Sequence, residues 1–255
     1  MDYKNKFLKV FDGFGAKHRR ETVFSDFVLM SATSLHNAVC FSQHLEDRYF
    51  EIMKKYDKAE MLRHCELLAC VVEGLDASMG DFLGEVFMEL ELGNARAGQF
   101  FTPYHLSKLM AALTHGETLK LIDKPFVTLS EPACGSGSMC IAFAETMREN
   151  GYNPQQQLWV QCWDIDQLAA EMCYLQLSLL HIPAEIVIGD TLSLEVRSVM
   201  RTPAHHLGFW DSKLAVRDQG TNGAMDRVEI VKAPSKVELV IEPVTTKLGQ
   251  FGFDF

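Results

Sequence analysis

A glycine-rich turn between a strand and a helix limits this chain to a small group of folds. The turn spans residues 131–138 and reads Glu-Pro-Ala-Cys-Gly-Ser-Gly-Ser. A β-rich run, Phe126–Ser130, precedes it and a helical run follows it. Gly135 and Gly137 allow the backbone to turn tightly and to approach a nucleotide-type ligand. A Gly-Ser-Gly turn alone can be purely structural, but the acidic Glu131 favours a cofactor that carries an ammonium group over a diphosphate such as NAD.

The segments around the turn alternate between strand and helix. Met139–Glu149 and Leu168–Leu180 have helical periodicity, whereas Leu158–Trp163 and Ala184–Gly189 are β-rich. This alternation is typical of a parallel, doubly wound α/β sheet. Right-handed crossovers place both helices on one face of such a sheet when its strands run in the order 3-2-1.

The region before the sheet is predicted to be helical. Apolar residues recur at helical spacing in four segments, and the first proline of the chain follows all of them. We therefore expect a helical N-terminal region over residues 1–95 and a second domain over residues 96–255. The four segments are Thr22–Phe41, Leu45–Tyr56, Ala59–Leu75 and residues 81–92.

Carboxylates follow the second and third predicted strands. Asp164 and Asp166 lie in Trp-Asp-Ile-Asp, and Asp190 lies in Gly-Asp-Thr-Leu. Ligands of open α/β sheets bind at the carboxyl ends of the strands, so Asp164 is placed to bind ribose hydroxyls and Asp166 can cap the next helix. Asp190 either accepts from the adenine amino group of a cofactor or only caps the segment that follows it.

Four motifs in this order carry a family resemblance. Gly-Gln-Phe-Phe-Thr-Pro at residues 98–103 precedes the glycine-rich turn, and the two acidic motifs follow the turn. As a set, over roughly Asp81 to Leu192, they resemble the modification subunit of type I restriction-modification systems and related adenine-N6 DNA methyltransferases. The resemblance implies a Rossmann-like sheet with S-adenosylmethionine as cofactor. The sheet is incomplete if residues 193–255 do not supply its remaining strands.

The resemblance also implies roles for individual residues. Four residues between positions 99 and 103 cover the cofactor, and Thr102 among them lies near the cofactor's carboxylate. Phe101 is a packing residue beside the pocket. Glu131 faces the methionine amino group, Asp164 binds ribose and Asp190 binds adenine. The residues that cover the cofactor are Gln99, Phe100, Thr102 and Pro103, and those that line the turn are Ala133, Gly135 and Gly137.

The catalytic tetrapeptide of that family, Asn/Asp-Pro-Pro-Tyr/Phe, does not occur in these 255 residues, where no two of the eight prolines are adjacent. That loop presents the target amino group and stacks on a flipped base. The catalytic residues are therefore unknown, with Trp210 and Asp211 as candidates, although Phe209 and Trp210 can equally be core aromatics. Three hypotheses stay open: a cofactor-binding relative with lost or altered catalysis, an active methyltransferase with a non-standard loop and a DNA-recognition partner, and methylation of another substrate.

The net charge of the chain affects the hypothesis that the protein binds DNA. The formal net charge is −10, and phosphate attraction dominates non-specific affinity for DNA. The one dense basic cluster, Lys17-His-Arg-Arg20, is either a DNA contact or a solvated helix end. We therefore expect duplex DNA to be bound through a partner specificity subunit, in a homo- or hetero-oligomer.

The cysteine content and the absence of long apolar runs indicate in which cellular compartment the protein is expected. The seven cysteines include no Cys-x-x-Cys pair, so we expect neither disulfides nor a metal site. His205 and His206 also do not indicate a metal site, because adjacent side chains do not face the same way on a helix or strand. No apolar run reaches the roughly 18 residues of a membrane-spanning helix, and no signal core follows the N-terminus. The sequence predicts a cytoplasmic protein that does not enter membranes.

Overall fold

The computed structural model describes residues 2–92, 101–119 and 125–220. Its N-terminal part is helical, as predicted. The second and fourth helices coincide with predicted segments, and Asp57 and Glu60 form a capping box at the start of the fourth. The five helices are α1 (Tyr3–Asp12), α2 (Arg20–Asn37), α3 (Gln43–Met53), α4 (Lys58–Ala77) and α5 (Phe82–Glu89).

A four-stranded sheet follows these helices. Its strands are β1 (Val127–Glu131), β2 (Leu158–Asp164), β3 (Ala184–Asp190) and β4 (Glu195–Arg201), in the spatial order β1-β2-β3-β4. β1, β2 and β3 are mutually parallel, which confirms the predicted α/β alternation. Within the described residues, the arrangement is an incomplete Rossmann-like sheet preceded by a helical region.

The fourth strand is not among the strands that the sequence analysis predicted. β4 pairs antiparallel with β3, with a register irregularity at Ile188 and Gly189. Its first five residues are exposed. A strand without a buried face has no two-residue hydrophobic alternation, so its sequence carries no strand signal.

Helices cover one face of the sheet. Alternate residues of β2 are buried there, and the same face continues into β3. Both crossover helices contribute to this core, which confirms the prediction that they share a face. The helices after α5 are α6 (Tyr104–Leu119), α7 (Ser138–Glu149), α8 (Pro154–Gln157), α9 (Gln167–Leu179), α10 (Pro203–Leu207) and α11 (Trp210–Gly220).

Helix α9 belongs to two cores. Its Cys173, Tyr174 and Leu177 pack with the strands, whereas Met172 and Leu175 pack with the N-terminal helices. The described residues up to Ala215 form one compact unit, which ends before the last five described residues, 216–220. The boundary between a helical region and a methyltransferase domain near residue 95 stays a prediction. Across the described ranges, no helix is long and apolar enough to span a membrane.

Candidate functional site

Three carboxylates end three adjacent parallel strands. Glu131 is the last residue of β1, Asp164 the last of β2 and Asp190 the last of β3. Because the strands are parallel and neighbouring, all three side chains lie at one edge of the sheet. The predicted acidic residues are therefore brought to a common edge.

Asp164 holds the glycine-rich turn in place. Its Oδ2 accepts a hydrogen bond of 2.8 Å from the Gly135 amide, and its Oδ1 accepts one of 2.8 Å from the Asp166 amide. Each carboxylate oxygen keeps a further lone pair for a ligand hydroxyl. Burial raises the pKa of Asp164 above its usual value. Asp166 caps α9 by accepting from Ala169, as predicted.

The turn itself requires glycine at two positions. Gly135 has φ +54° and Gly137 has φ +97°, in the left-handed region that favours glycine. The turn is also tied to β2 and to the residue that follows β3: the Cys134 amide donates to the Trp163 carbonyl at 2.8 Å, and the Thr191 hydroxyl donates to the Pro132 carbonyl at 2.7 Å. The backbone at this edge is thus preorganised.

The two outer carboxylates have different environments. Glu131 is half-buried, which raises its pKa, and its Oε1 accepts from the Ala133 amide at 3.2 Å. Asp190 accepts from the Leu192 amide at 2.9 Å, and hydrogen bonds from Leu192 and Ser193 lower its pKa. Asp190 therefore caps the β3–β4 turn, not a helix, and a carboxylate has enough lone pairs to accept from a ligand as well.

A buried polar network lies behind the turn, and the sequence analysis missed it. Asp81, 2% exposed, accepts 2.6 Å and 2.8 Å hydrogen bonds from Ser136 in the turn and Gln176 on α9. It also accepts from Gly84 at 2.9 Å, where an added Cβ would collide with the Asp81 carboxylate and the Ser136 hydroxyl. The N-cap signal of Asp81 is readable in the sequence, but its contacts with the turn are not.

The segment before α6 lies against the turn. The Phe101 ring lies 3.1 Å from where a Cβ on Gly135 would stand and packs on Phe87, which supports its predicted packing role. Thr102 and Pro103 are exposed, and the Thr102 carbonyl accepts from Ser138 at 3.4 Å. The predicted cofactor residues Gln99 and Phe100 lie outside the described residues.

Comparison with known proteins identifies the family. Residues 79–213, more than half of the chain, match the sequence profile of the N-6 DNA methylases. This chain belongs to the N-6 DNA methylase family. The match confirms the predicted resemblance to adenine-N6 methyltransferases, and S-adenosylmethionine is the cofactor that membership of this family indicates.

One solved structure is also similar. It comes from Listeria monocytogenes and is described as a class I S-adenosylmethionine-dependent methyltransferase. The identity is 15% and the TM-score is 0.39; the similarity covers 71% of the present chain and 56% of the Listeria chain. The present chain therefore spans little more than half the length of that structure. No curated protein matches the present chain.

The two candidate catalytic residues lie at the opposite edge of this sheet. Trp210 is fully buried and packs edge-to-face on Phe126, just before β1. Asp211 pairs with Arg201, which lies opposite Glu185 near the start of β3. This placement does not support a catalytic role for Trp210 or Asp211 at the carboxyl edge.

Two further polar groups, His205 and the basic cluster at residues 17–20, have partners among the described residues. His205 is buried, accepts from Trp159 at 3.1 Å and lies 3.2 Å from Asp211. In the basic cluster, Lys17 and His18 contact Glu60 at 2.9 Å and 3.2 Å, and Arg20 contacts Asp12. Three of the four basic cluster residues are thus paired with carboxylates.

Proposed function

We propose that this protein binds S-adenosylmethionine at the carboxyl edge of β1, β2 and β3 as a relative of the adenine-N6 DNA methyltransferases with lost or altered catalysis. One observation carries the proposal: Glu131, Asp164 and Asp190 converge around a turn in which Gly135 and Gly137 have left-handed backbone. This set matches a ligand with an ammonium group, two ribose hydroxyls and an adenine amino group.

Each part of that ligand has a matching group. Glu131 accepts from the ammonium group, and its partial burial strengthens the attraction because less water screens the charge. Asp164 accepts from the ribose hydroxyls and Asp190 from the adenine amino group. The backbone of Ala133, Gly135 and Gly137 lines the cofactor. Gln99, Phe100, Thr102 and Pro103 cover it.

The bound cofactor supplies an electrophilic methyl group, and the protein must present a nucleophile to it. β4 runs antiparallel to β3, so the segment after Arg201 leaves at the amino edge of the sheet. That segment carries Trp210 and Asp211 away from the carboxyl edge. The direction of β4 and the missing tetrapeptide together favour lost or altered catalysis.

A second candidate function is an active, restriction-modification-type DNA methyltransferase with a recognition partner. The charge of −10 and the pairing of Lys17, His18 and Arg20 with carboxylates favour a partner that supplies the contacts to phosphate. In this form the partner also supplies, or positions, the residues that present the target base.

Calorimetric titration with S-adenosylmethionine tests the binding site. We expect saturable binding to the wild-type protein and at least about tenfold weaker binding to Asp164→Asn and Glu131→Gln, a loss of about 1.4 kcal/mol or more. Asp211→Asn is the matched control, because Asp211 lies at the opposite edge, and we expect its affinity to be unchanged. Wild-type protein that does not bind, or equal losses in all three variants, would overturn the proposed site.

Methyl transfer separates the two candidate functions. We expect no incorporation of labelled methyl groups into duplex DNA by the purified protein, at a concentration where the cofactor site is saturated. Incorporation at adenine N6 by the protein alone would refute lost catalysis. Incorporation only after addition of a co-purified subunit would establish the second candidate.

A further inference from the structure

Three cysteines from separate segments meet beneath the glycine-rich turn. Cys134 lies in the turn, Cys162 in β2 and Cys173 in α9. Their sulfur atoms all lie within 4.8 Å of one another, and the Sγ atoms of Cys162 and Cys173 are 3.7 Å apart. All three side chains are buried, with exposures of 5%, 0% and 0%. We call this group the thiol cluster.

The sulfur spacing fits a shared metal ion. Zinc–sulfur bonds are about 2.3 Å long, so two sulfurs on a tetrahedral ion are separated by about 3.8 Å. Burial of cysteine as a small apolar side chain requires only contact with apolar neighbours, not the convergence of three sulfurs on one point. Cys140 adds a fourth sulfur, 3.5 Å from that of Cys162, which can support the ligand from outside the cluster.

We propose that Cys134, Cys162 and Cys173 bind one thiophilic metal ion, Zn²⁺ or Cu⁺. Each thiol releases its proton to solvent as its sulfur becomes a metal ligand. The ion would join the turn, β2 and α9, and so fix the backbone beside the cofactor edge. This revises the expectation of no metal site, which rested on the absence of a Cys-x-x-Cys pair. The inference does not depend on cofactor binding or on turnover.

Titration of the reduced full chain tests the site. The exposed thiols are first removed by Cys40→Ser and Cys65→Ser, and the protein is kept anaerobic with its thiols counted. Cd²⁺, as a probe for Zn²⁺, and Cu⁺ are added in separate arms while thiolate-to-metal charge-transfer absorbance is recorded. We expect saturation at one equivalent per chain in at least one arm, and a rise in Tm with Zn²⁺ if the Cd²⁺ arm responds.

Cys162→Ala should abolish that saturation, because Cys162 touches the other sulfurs. Cys70→Ala is the matched control: Cys70 is equally buried, in the N-terminal helical core, and its loss should leave the titration unchanged. X-ray absorption spectroscopy of the metal-loaded parent protein, which carries only Cys40→Ser and Cys65→Ser, should show three sulfur ligands. This measurement does not depend on whether a variant of the thiol cluster folds. The proposal is overturned if neither metal gives a one-equivalent endpoint, if folded Cys162→Ala titrates like the parent, or if the absorption edge shows mainly oxygen or nitrogen ligands.

Discussion

The carboxylate of Asp81 accepts a 2.6 Å hydrogen bond from the hydroxyl of Ser136, across 55 positions of sequence. Asp81 caps α5 in the helical region, and Ser136 lies in the glycine-rich turn. Gln176 completes the arrangement by donating to both Asp81 and the Ser136 carbonyl, at 2.8 Å each. The helical region is thus part of what positions the turn.

Asp81→Ala should destabilise the protein and weaken cofactor binding. It leaves the buried donors of Ser136, Gln176 and Gly84 without their acceptor, at a cost of about 3 kcal/mol or more. Chemical denaturation measures the stability, and calorimetry with S-adenosylmethionine measures the affinity of the folded fraction. Asp76→Ala, at an exposed position of α4, should change stability by less than about 0.5 kcal/mol. Equal effects of the two substitutions would contradict a positioning role for Asp81.

Gly135→Ala should cost both stability and affinity. At φ +54° an L side chain is strained by roughly 1–2 kcal/mol, and its Cβ would press on Phe101 at 3.1 Å. Gly151 provides the matched control, since it has φ +84° and no atom of the described part of the chain lies within 4 Å of an added Cβ. We expect Gly151→Ala to lose a similar amount of stability with no change in cofactor affinity. Equal affinity losses in the two variants would place the cofactor elsewhere.

His64 should make the protein less stable as pH falls. Burial lowers its pKa to about 4 from an ordinary 6.5, and neither ring nitrogen has a hydrogen-bond partner among the residues that the structure describes. Since the folded pKa is the lower one, the stabilisation is full above pH 6.5 and is lost as pH falls towards 4. Between pH 7 and pH 5 we expect a loss of about 2 kcal/mol, measured by chemical denaturation.

Substitution isolates the contribution of His64. His64→Phe keeps a ring against Phe14 and Tyr56 and should flatten the pH dependence over this interval, whereas His44→Gln, at an exposed position, should not. The pKa of Glu60 is lowered to about 2 by the hydrogen bond from Lys17, so its contribution is lost only below about pH 4.5. An unchanged slope in His64→Phe would show that other groups cause the acid loss.

Trp210→Ala should affect stability without affecting cofactor affinity. Trp210 is fully buried against Phe126, and truncation of a buried tryptophan costs about 3–5 kcal/mol. Its neighbour Phe209 is 76% exposed, so Phe209→Ala should cost less than about 0.5 kcal/mol. Denaturation curves and calorimetry of both variants test this. A Trp210 variant with normal stability and impaired methyl-group chemistry would restore Trp210 as a catalytic candidate.

Local patterns in the sequence determined most of the elements and the edge at which the site lies. Helical periodicity and strand composition are local properties, and a glycine-rich turn between strand and helix requires left-handed backbone that glycine adopts without strain. Once β1, β2 and β3 are parallel neighbours, Glu131, Asp164 and Asp190 must share an edge. The family and the cofactor it indicates follow from these same motifs.

Tertiary structure alone decided which distant segments meet. Periodicity indicates that a side chain faces a core, but not which partner it finds there, so neither the contact of Asp81 with Gln176, 95 positions away, nor the thiol cluster was predictable. The direction of β4 was decided by backbone pairing with β3, because an exposed strand carries no hydrophobic alternation. That pairing sends Trp210 and Asp211 to the amino edge, and no local pattern in the sequence records it.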